Sequence, residues 1–226
     1  MKKIFVISLG GSLIVPEKID IKFLKNFKAL IQKQAKRGNK FILIAGGGKI
    51  CRKYQDALAK ISKIDEGALD WMGINFTWLN AKLVQLMFKK LAYREIAKDP
   101  QKKIIFKEPV LVGGGWKPGR SSDGAMIKFA QTYRASTVIN LSNVSYVYDK
   151  DPRKFKNAKR QEKLSWNELL KITGSRWVPG KNVPFDPTAA MFARKNKLKI
   201  IIANGKNLKN LENILKGRKF RGTVIT

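Results

Sequence analysis

Three glycine-rich turns carry the residues that could do chemistry. Gly46-Gly47-Gly48-Lys49-x-x-Arg52 follows a short apolar run, Phe41 to Ala45, and leads into a helix-compatible pattern from Lys49 to Ala59. A strand that breaks at glycines and restarts as a helix leaves unpaired N–H groups at the helix start. Those groups, with the helix dipole, attract phosphate, and glycine lets a ligand come close to the backbone. Lys49 and Arg52 add charge at the same point. Gly10-Gly11-Ser12 repeats the arrangement after the apolar segment Lys3 to Leu9, with the Ser12 hydroxyl as an extra donor. The third turn, Gly113 to Gly124, is longer. It places Lys117, Arg120, Ser121 and Ser122 just before a helix expected over Ala125 to Tyr133. Hydroxyls, N–H groups and a guanidinium at a helix start make a cradle for a phosphomonoester. One such turn is also an ordinary strand–helix connection; the repetition points to anions.

The carboxylates near these turns have both a chemical and a structural reading. Asp70, flanked by Leu69 and Trp71, offers hydrogen-bond acceptance to a ribose diol, and by spacing alone it reads as a helix N-cap. Asp123 reads as a cap rather than a base. Asp186 stands among apolar residues in Phe185-Asp186-Pro187, again at a helix start. Ser142 to Pro152 leaves the C-terminal end of a strand, where ligands of open α/β sheets sit. There Tyr148 offers an aromatic face for a base and Asp151 a carboxylate for a ribose or an amine. Asp149 and Asp151 equally suit an ordinary turn before Pro152.

Composition removes several chemistries. The chain has no histidine, which excludes an imidazole base, a His-ligated zinc and a phosphohistidine. Its single cysteine, Cys51, forms no internal disulfide, excludes a structural zinc site and suits a reducing compartment. No run approaches the ~18 apolar residues of a membrane helix. The N-terminal apolar segment ends at Gly10-Gly11 without a small-residue cleavage site, so a cytoplasmic protein without a signal peptide is expected. Lys and Arg number 47 against 16 Asp and Glu, a net charge of +31. Such a surface steers polyanionic substrates and binds nucleic acid non-specifically at low salt. The basic residues are spread at helix-surface spacing with no basic tail, so nucleic-acid binding is not the expected main role.

The elements that must position these turns alternate as strand, helix, strand. Lys22 to Lys36 carries Phe23, Leu24, Phe27, Leu30 and Ile31 on one helical face. Helices are expected through Leu58 and Ile61 and from Asp70 to Met87. The stretch Lys103 to Val112 contains the next strand, with Pro109-Val-Leu-Val112 at its end; a strand at Ala135 to Leu141 and a polar loop over Lys154 to Lys163 follow. Ser165 and Glu168 form a capping box for Trp166 to Thr173. Gly174 to Pro187 reads as irregular. The chain then gives a helix over Thr188 to Lys195, a strand at Lys199 to Ala203, a helix over Asn207 to Leu215 and a strand at Thr223 to Ile225. This βαβ grammar describes a parallel sheet.

Leu9-Gly-Gly-Ser12, Gly46-Gly-Gly-Lys-x-x-Arg52, Asp70-x-Met-Gly73, Pro118-Gly-x-Ser-Ser-Asp123, Asn143-Val-x-x-Val-Tyr-x-x-Asp-Pro152 and Asp186-Pro-x-Ala-Ala190 occur in the order seen in the amino-acid kinase superfamily. Among its members the chain most resembles the archaeal-type UMP kinases, over nearly its whole length. The resemblance implies a three-layer α/β/α sandwich around a mainly parallel sheet, built as one domain over residues 1–226. Its acceptor side would lie in about residues 1–130 and its ATP side in about 131–226. It further implies a homohexamer and transfer of phosphoryl from MgATP to UMP.

Position by position, the resemblance places Gly11 and Ser12 on the ATP phosphates and Gly47 on UMP, with Gly48 and Arg52 where the two nucleotides meet. Asp70 would bind the UMP ribose. Trp116, Lys117, Pro118, Gly119, Arg120, Ser121 and Ser122 would wrap UMP. Ser142, Asn143, Tyr148 and Asp151 would hold the ATP nucleoside, and Asp186 would organise the basic residues around the transferred group. Three departures stand out. Ser8 occupies a site where many members carry lysine, leaving Lys49 or Lys150 as substitutes. Ser145-Tyr146 replaces Asp-Gly, which should alter the turn because tyrosine is costly at positive φ. The acceptor loop reads one residue longer, with Arg120 where histidine is common. Rival readings are a catalytically reduced nucleotide- or oxyanion-binding protein of the same fold, a kinase for another small phosphate or carboxylate acceptor, and an RNA-binding protein.

Overall fold

The computed structural model describes residues 3–135, 137–152, 154–174 and 183–226. In chain order the elements are β1 (Ile4–Leu9), α1 (Gly11–Ile14), α2 (Ile21–Ala35), β2 (Lys40–Ala45), α3 (Gly48–Ile61), α4 (Glu66–Phe88), β3 (Ala92–Ala97), β4 (Val110–Gly113), α5 (Ser122–Thr132) and β5 (Thr137–Ser142). The short strands β6 (Val147–Tyr148), β7 (Arg160–Gln161) and β8 (Lys163–Leu164) follow. Then come α6 (Trp166–Thr173), α7 (Pro187–Lys195), β9 (Ile200–Asn204), α8 (Leu208–Leu215) and β10 (Thr223–Ile225).

One sheet orders its strands β3-β4-β2-β1-β5-β9-β10-β8, and every neighbouring pair is parallel except β9 with β10. The central strands are continuous apolar runs because helices cover both faces. On one face α2, α4 and α8 pack Phe27, Ile31, Val84 and Leu211 against Ile7, Leu43 and Val112. On the other, α5, α6 and α7 pack Phe129, Leu169 and Ala190 against Val6, Ile42 and Ile202. Each large side chain fully buried this way contributes about 1.5–3 kcal/mol. The three-layer sandwich expected from the sequence is the observed architecture.

The element assignments differ where periodicity is weak. β3 escapes the sequence because it is an edge strand whose Arg94 and Glu95 face solvent. Within Lys103 to Val112 the strand lies at the end, as expected, with β4 beginning at Val110. The polar loop at Lys154 to Lys163 contributes β7 and pairs it with β6. Helix α4 starts at Glu66, capped by Asp65, whose carboxylate accepts from Ala68 N at 2.9 Å. Asp70 is therefore not the N-cap that its spacing suggested. Most of the irregular stretch over Gly174 to Pro187 lies outside the described residues.

Because β1, β2, β4 and β5 run parallel, the turns that follow them leave the same edge of the sheet. The chain winds one way from β1 to β2 and the other way from β4 to β5, so β1 and β5 flank a topological switch point. At that edge the first two glycine turns interlock. A Cβ on Gly11 would lie 2.0 Å from Gly48 N, and one on Gly46 would lie 2.6 Å from Gly11 N. Gly48 also has φ of +84°. Gly217, by contrast, has φ of +67° but open space where a Cβ would go. Gly217→Ala is expected to cost about 1 kcal/mol, lowering Tm by about 2–4 °C. Gly11→Ala forces backbone apart and is expected to cost at least about 3 kcal/mol, or roughly 6–12 °C, both read by thermal unfolding.

Candidate active site

Helix α4 holds the glycine turns in place through Asp70 and three further residues, Thr77, Trp78 and Asn80, that sequence reasoning did not single out. Asn80, 5% exposed, donates from Nδ2 to Gly46 O at 2.7 Å and Gly47 O at 3.1 Å. One turn earlier, Thr77 Oγ1 accepts from Gly115 N at 2.6 Å and donates to Ile74 O. Trp78 Nε1 donates to Gly115 O at 2.9 Å. Gly119 N donates to Asp70 Oδ2 at 2.6 Å, so Asp70 pins the third loop while leaving its other oxygen for a ligand. Thr77 and Asn80, polar residues three positions apart on a mostly apolar helix, are the signal that could have revealed that pair.

The third loop ends in a network joining α5, α7 and β5. Ser121 is the N-cap of α5, accepting from Gly124 N at 3.2 Å, and its hydroxyl also donates to Asp186 Oδ2. Asp123 is therefore not the cap. Asp186 is the N-cap of α7, as its position suggested; its Oδ1 accepts from Thr188 N at 2.7 Å and Ala189 N at 3.3 Å. Asp123 accepts from Asn140 Nδ2 at 3.2 Å and from Asp186 N at 3.1 Å. The residue as a whole is partly buried, but its carboxyl is enclosed by protein. That enclosure, followed by the negative charge of Asp186, pushes its pKa up to about 7 against the opposing hydrogen bond from Asp186 N.

Trp116, Lys117 and Arg120 face a cleft of about 240 Å³ whose other walls are α5 and α7, including Asp186 and Phe192. Lys117 Nζ lies 4.4 Å from the Trp116 ring centre. Pro118 and Gly119 form the loop's crest beside Asp70, and Ser122 opens α5. Gly11, Ser12, Gly47 and Gly48 meet at the interlocked turns. Arg52 is exposed on the first turns of α3. Lys49 is also exposed, with Nζ 2.5 Å from Glu17 Oε1, and Lys150 Nζ lies 5.3 Å from the Phe155 ring centre. On the far side of the switch point are Ser142, which donates to Asn143 Oδ1 at 3.3 Å, and Tyr148 and Asp151 beyond it. Tyr146 avoids the positive φ expected from the missing glycine and tucks its ring under Arg160 at 5.3 Å. The turn thus rearranges around tyrosine instead of straining.

N–H-rich turns, a basic third loop and the buried Asp186 gather at one switch point, an arrangement suited to handling phosphate. Residues 3–204 match the model of the amino acid kinase family, and the chain belongs to that family. Similar proteins include the uridylate kinase of Thermoplasma volcanium, 35% identical over 96% of this chain and 95% of that protein. The uridylate kinase of Pyrococcus abyssi is 32% identical over 97% of this chain and 98% of its own. Among solved structures, uridylate kinase from Archaeoglobus fulgidus superposes with a TM-score of 0.85 at 29% identity, each chain covered in full.

The Asp123 carboxyl generates a stability signature. Its folded pKa of about 7 lies above the ordinary 3.8, so the folded protein binds this proton more tightly than the unfolded chain. The contribution is complete below the unfolded value and is lost as pH rises through about 7. Urea midpoints from pH 4.5 to 8.5 should therefore show a decline toward neutrality that is absent, by difference, in Asp123→Asn.

Proposed function

We propose that the chain transfers the γ-phosphoryl group of ATP to UMP, giving UDP and ADP. The observation that carries this reading is the Ser121–Asp186 hydrogen bond, which ties the acceptor loop to the α7 N-terminus at the sheet's switch point. A phosphate oxygen is already a nucleophile, so the site needs no strong base. It must hold two polyanions in line and neutralise developing charge.

In this reading Gly47, the free oxygen of Asp70 and the loop residues Trp116 to Ser122 hold UMP. Gly11, Ser12, Ser142, Asn143, Tyr148 and Asp151 hold ATP, while Gly48 and Arg52 serve the phosphates between them. Lys49 adds charge at the α3 turn from its place beside Glu17. Asp186 keeps Ser121 and the α7 N–H groups oriented toward the transferred group. Mg²⁺ would be carried by the triphosphate oxygens of ATP. Bound there, it would neutralise charge between the phosphates.

The acceptor side falls in the N-terminal part of the single domain and the ATP side in the C-terminal part. The outer face of α4 exposes Trp71, Leu79 and Leu86, at 45%, 65% and 58%, and suits packing in a homo-oligomer, a hexamer in this proposal. No helix among the described residues is long and apolar enough to cross a membrane, in keeping with a cytoplasmic enzyme of pyrimidine nucleotide synthesis. The positive surface recruits both substrates and binds nucleic acid only non-specifically.

The test is ADP release with MgATP against UMP, CMP, dCMP, AMP, GMP and isopentenyl phosphate. UMP-dependent turnover is expected, reduced about 100-fold in Asp186→Asn through lost orientation. Turnover with another acceptor instead would reassign the substrate to the Trp116–Ser122 loop. ATP binding without turnover on any acceptor would leave a nucleotide-binding protein.

A further inference from the structure

Asp123 has no task in the reaction described above, yet it sits at the junction of three elements that the reaction needs. It lies in the first turn of α5, directly after the acceptor-loop hydroxyls of Ser121 and Ser122. One carboxyl oxygen receives Asn140 Nδ2 from β5; the other receives the backbone N–H of Asp186 at the head of α7. Ser121, two residues before it, donates to the Asp186 carboxylate. Asp186 is thus gripped twice from α5, by its main chain through Asp123 and by its side chain through Ser121.

The main-chain grip limits how Asp186 can move. With its N–H anchored to Asp123 and its Oδ1 capping Thr188 N and Ala189 N, the residue has little freedom to swing, and Oδ2 stays toward Ser121. We propose that Asp123 is the positioning residue for Asp186, fixing the α7 N-terminus against β5 and α5 so that the Asp186 carboxylate and Ser121 hydroxyl keep their shared orientation. This rests on the phosphotransferase reading for its catalytic consequence, though the contact itself does not.

The groups facing Asp123 are few. Among the described residues, Asp186 at the head of α7 is the one charged group acting on it, Asn140 from β5 is neutral, and Ser8, buried in β1 beside Asn140 in the strand register, is neutral too. Asn140 adapts to either protonation state, because its amide can donate to a carboxylate or, turned over, accept from a carboxylic acid. The network therefore survives protonation of Asp123. An asparagine at 123 reproduces the protonated form: its carbonyl accepts from Asp186 N while its amide donates to Asn140.

Two measurements on the purified full chain test this. Without substrate, the Asp186 amide proton shift should follow a titration with midpoint near pH 7 between pH 5.5 and 8.5, and the transition should vanish in Asp123→Asn. With substrates, Asp123→Ala should lower kcat about 100-fold while KM for ATP and UMP stays within about threefold, the pattern of lost orientation. Asp123→Asn should keep kcat within about tenfold of wild type, since the contact to Asp186 survives. An Asp186 amide that does not sense the titration, or an Asp123→Ala kcat equal to wild type, overturns the proposal. An amide transition in a wild-type chain that turns over no acceptor would support the contact and remove only the kinase reading.

Discussion

The contact on which the rest of the structure depends is that of Gly11 with Gly48, backbone against backbone with no room for a side-chain atom between them. β1 and β2 are neighbours in register up to Leu9 and Ala45, so their turns must leave the sheet side by side. Only glycine allows those turns to close over one another and start α1 and α3 from nearly the same point. The result concentrates unpaired N–H groups where two polyanions would meet. The sequence suggests glycine for the sake of a ligand; the fold adds a prior need for it, from the second turn.

Helix α4 turns that local contact into a site. Its inner face buries Ala81, Val84 and Phe88 against the sheet, while Asp70, Thr77, Trp78 and Asn80 reach two separate loops. Each hydrogen bond is worth only about 1 kcal/mol net, but each also removes a loop conformation that would otherwise compete. The loop between β4 and α5 has no regular structure, and this helix and the Ser121–Asp186 contact tie it down. A rigid helix anchored in the core is a better template for a ligand loop than the loop's own residues.

Charge is arranged on two scales. Outside, a net +31 creates a field that draws in any polyanion without choosing among them. Inside, two carboxyl groups stand next to each other at the starts of α5 and α7. Asp186 has N–H and hydroxyl donors around its carboxylate. Asp123, enclosed beside it, holds its proton to about pH 7. The two neighbouring acids thus sit in different surroundings, one ringed by donors and the other shut in beside it.

The sequence by itself determined the layer architecture and most helix and strand positions, and it marked out the glycine turns expected to meet anions. Continuous apolar runs such as Phe41 to Ala45, the helical spacing from Phe23 to Ile31 and the Ser165–Glu168 capping box are local signals, and local sterics and hydration decide them. The strand at Ala92 to Ala97 was not legible, because an edge strand need not alternate or exclude charge. Only tertiary structure decided that Asp65 rather than Asp70 caps α4, that Asp70, Thr77, Trp78 and Asn80 serve loops up to 49 residues away, and that Asp123 meets Asp186 across 63 residues. A carboxylate at a helix start looks the same in sequence whether it caps its own helix or holds another. The difference lies in which backbone N–H the fold brings within reach.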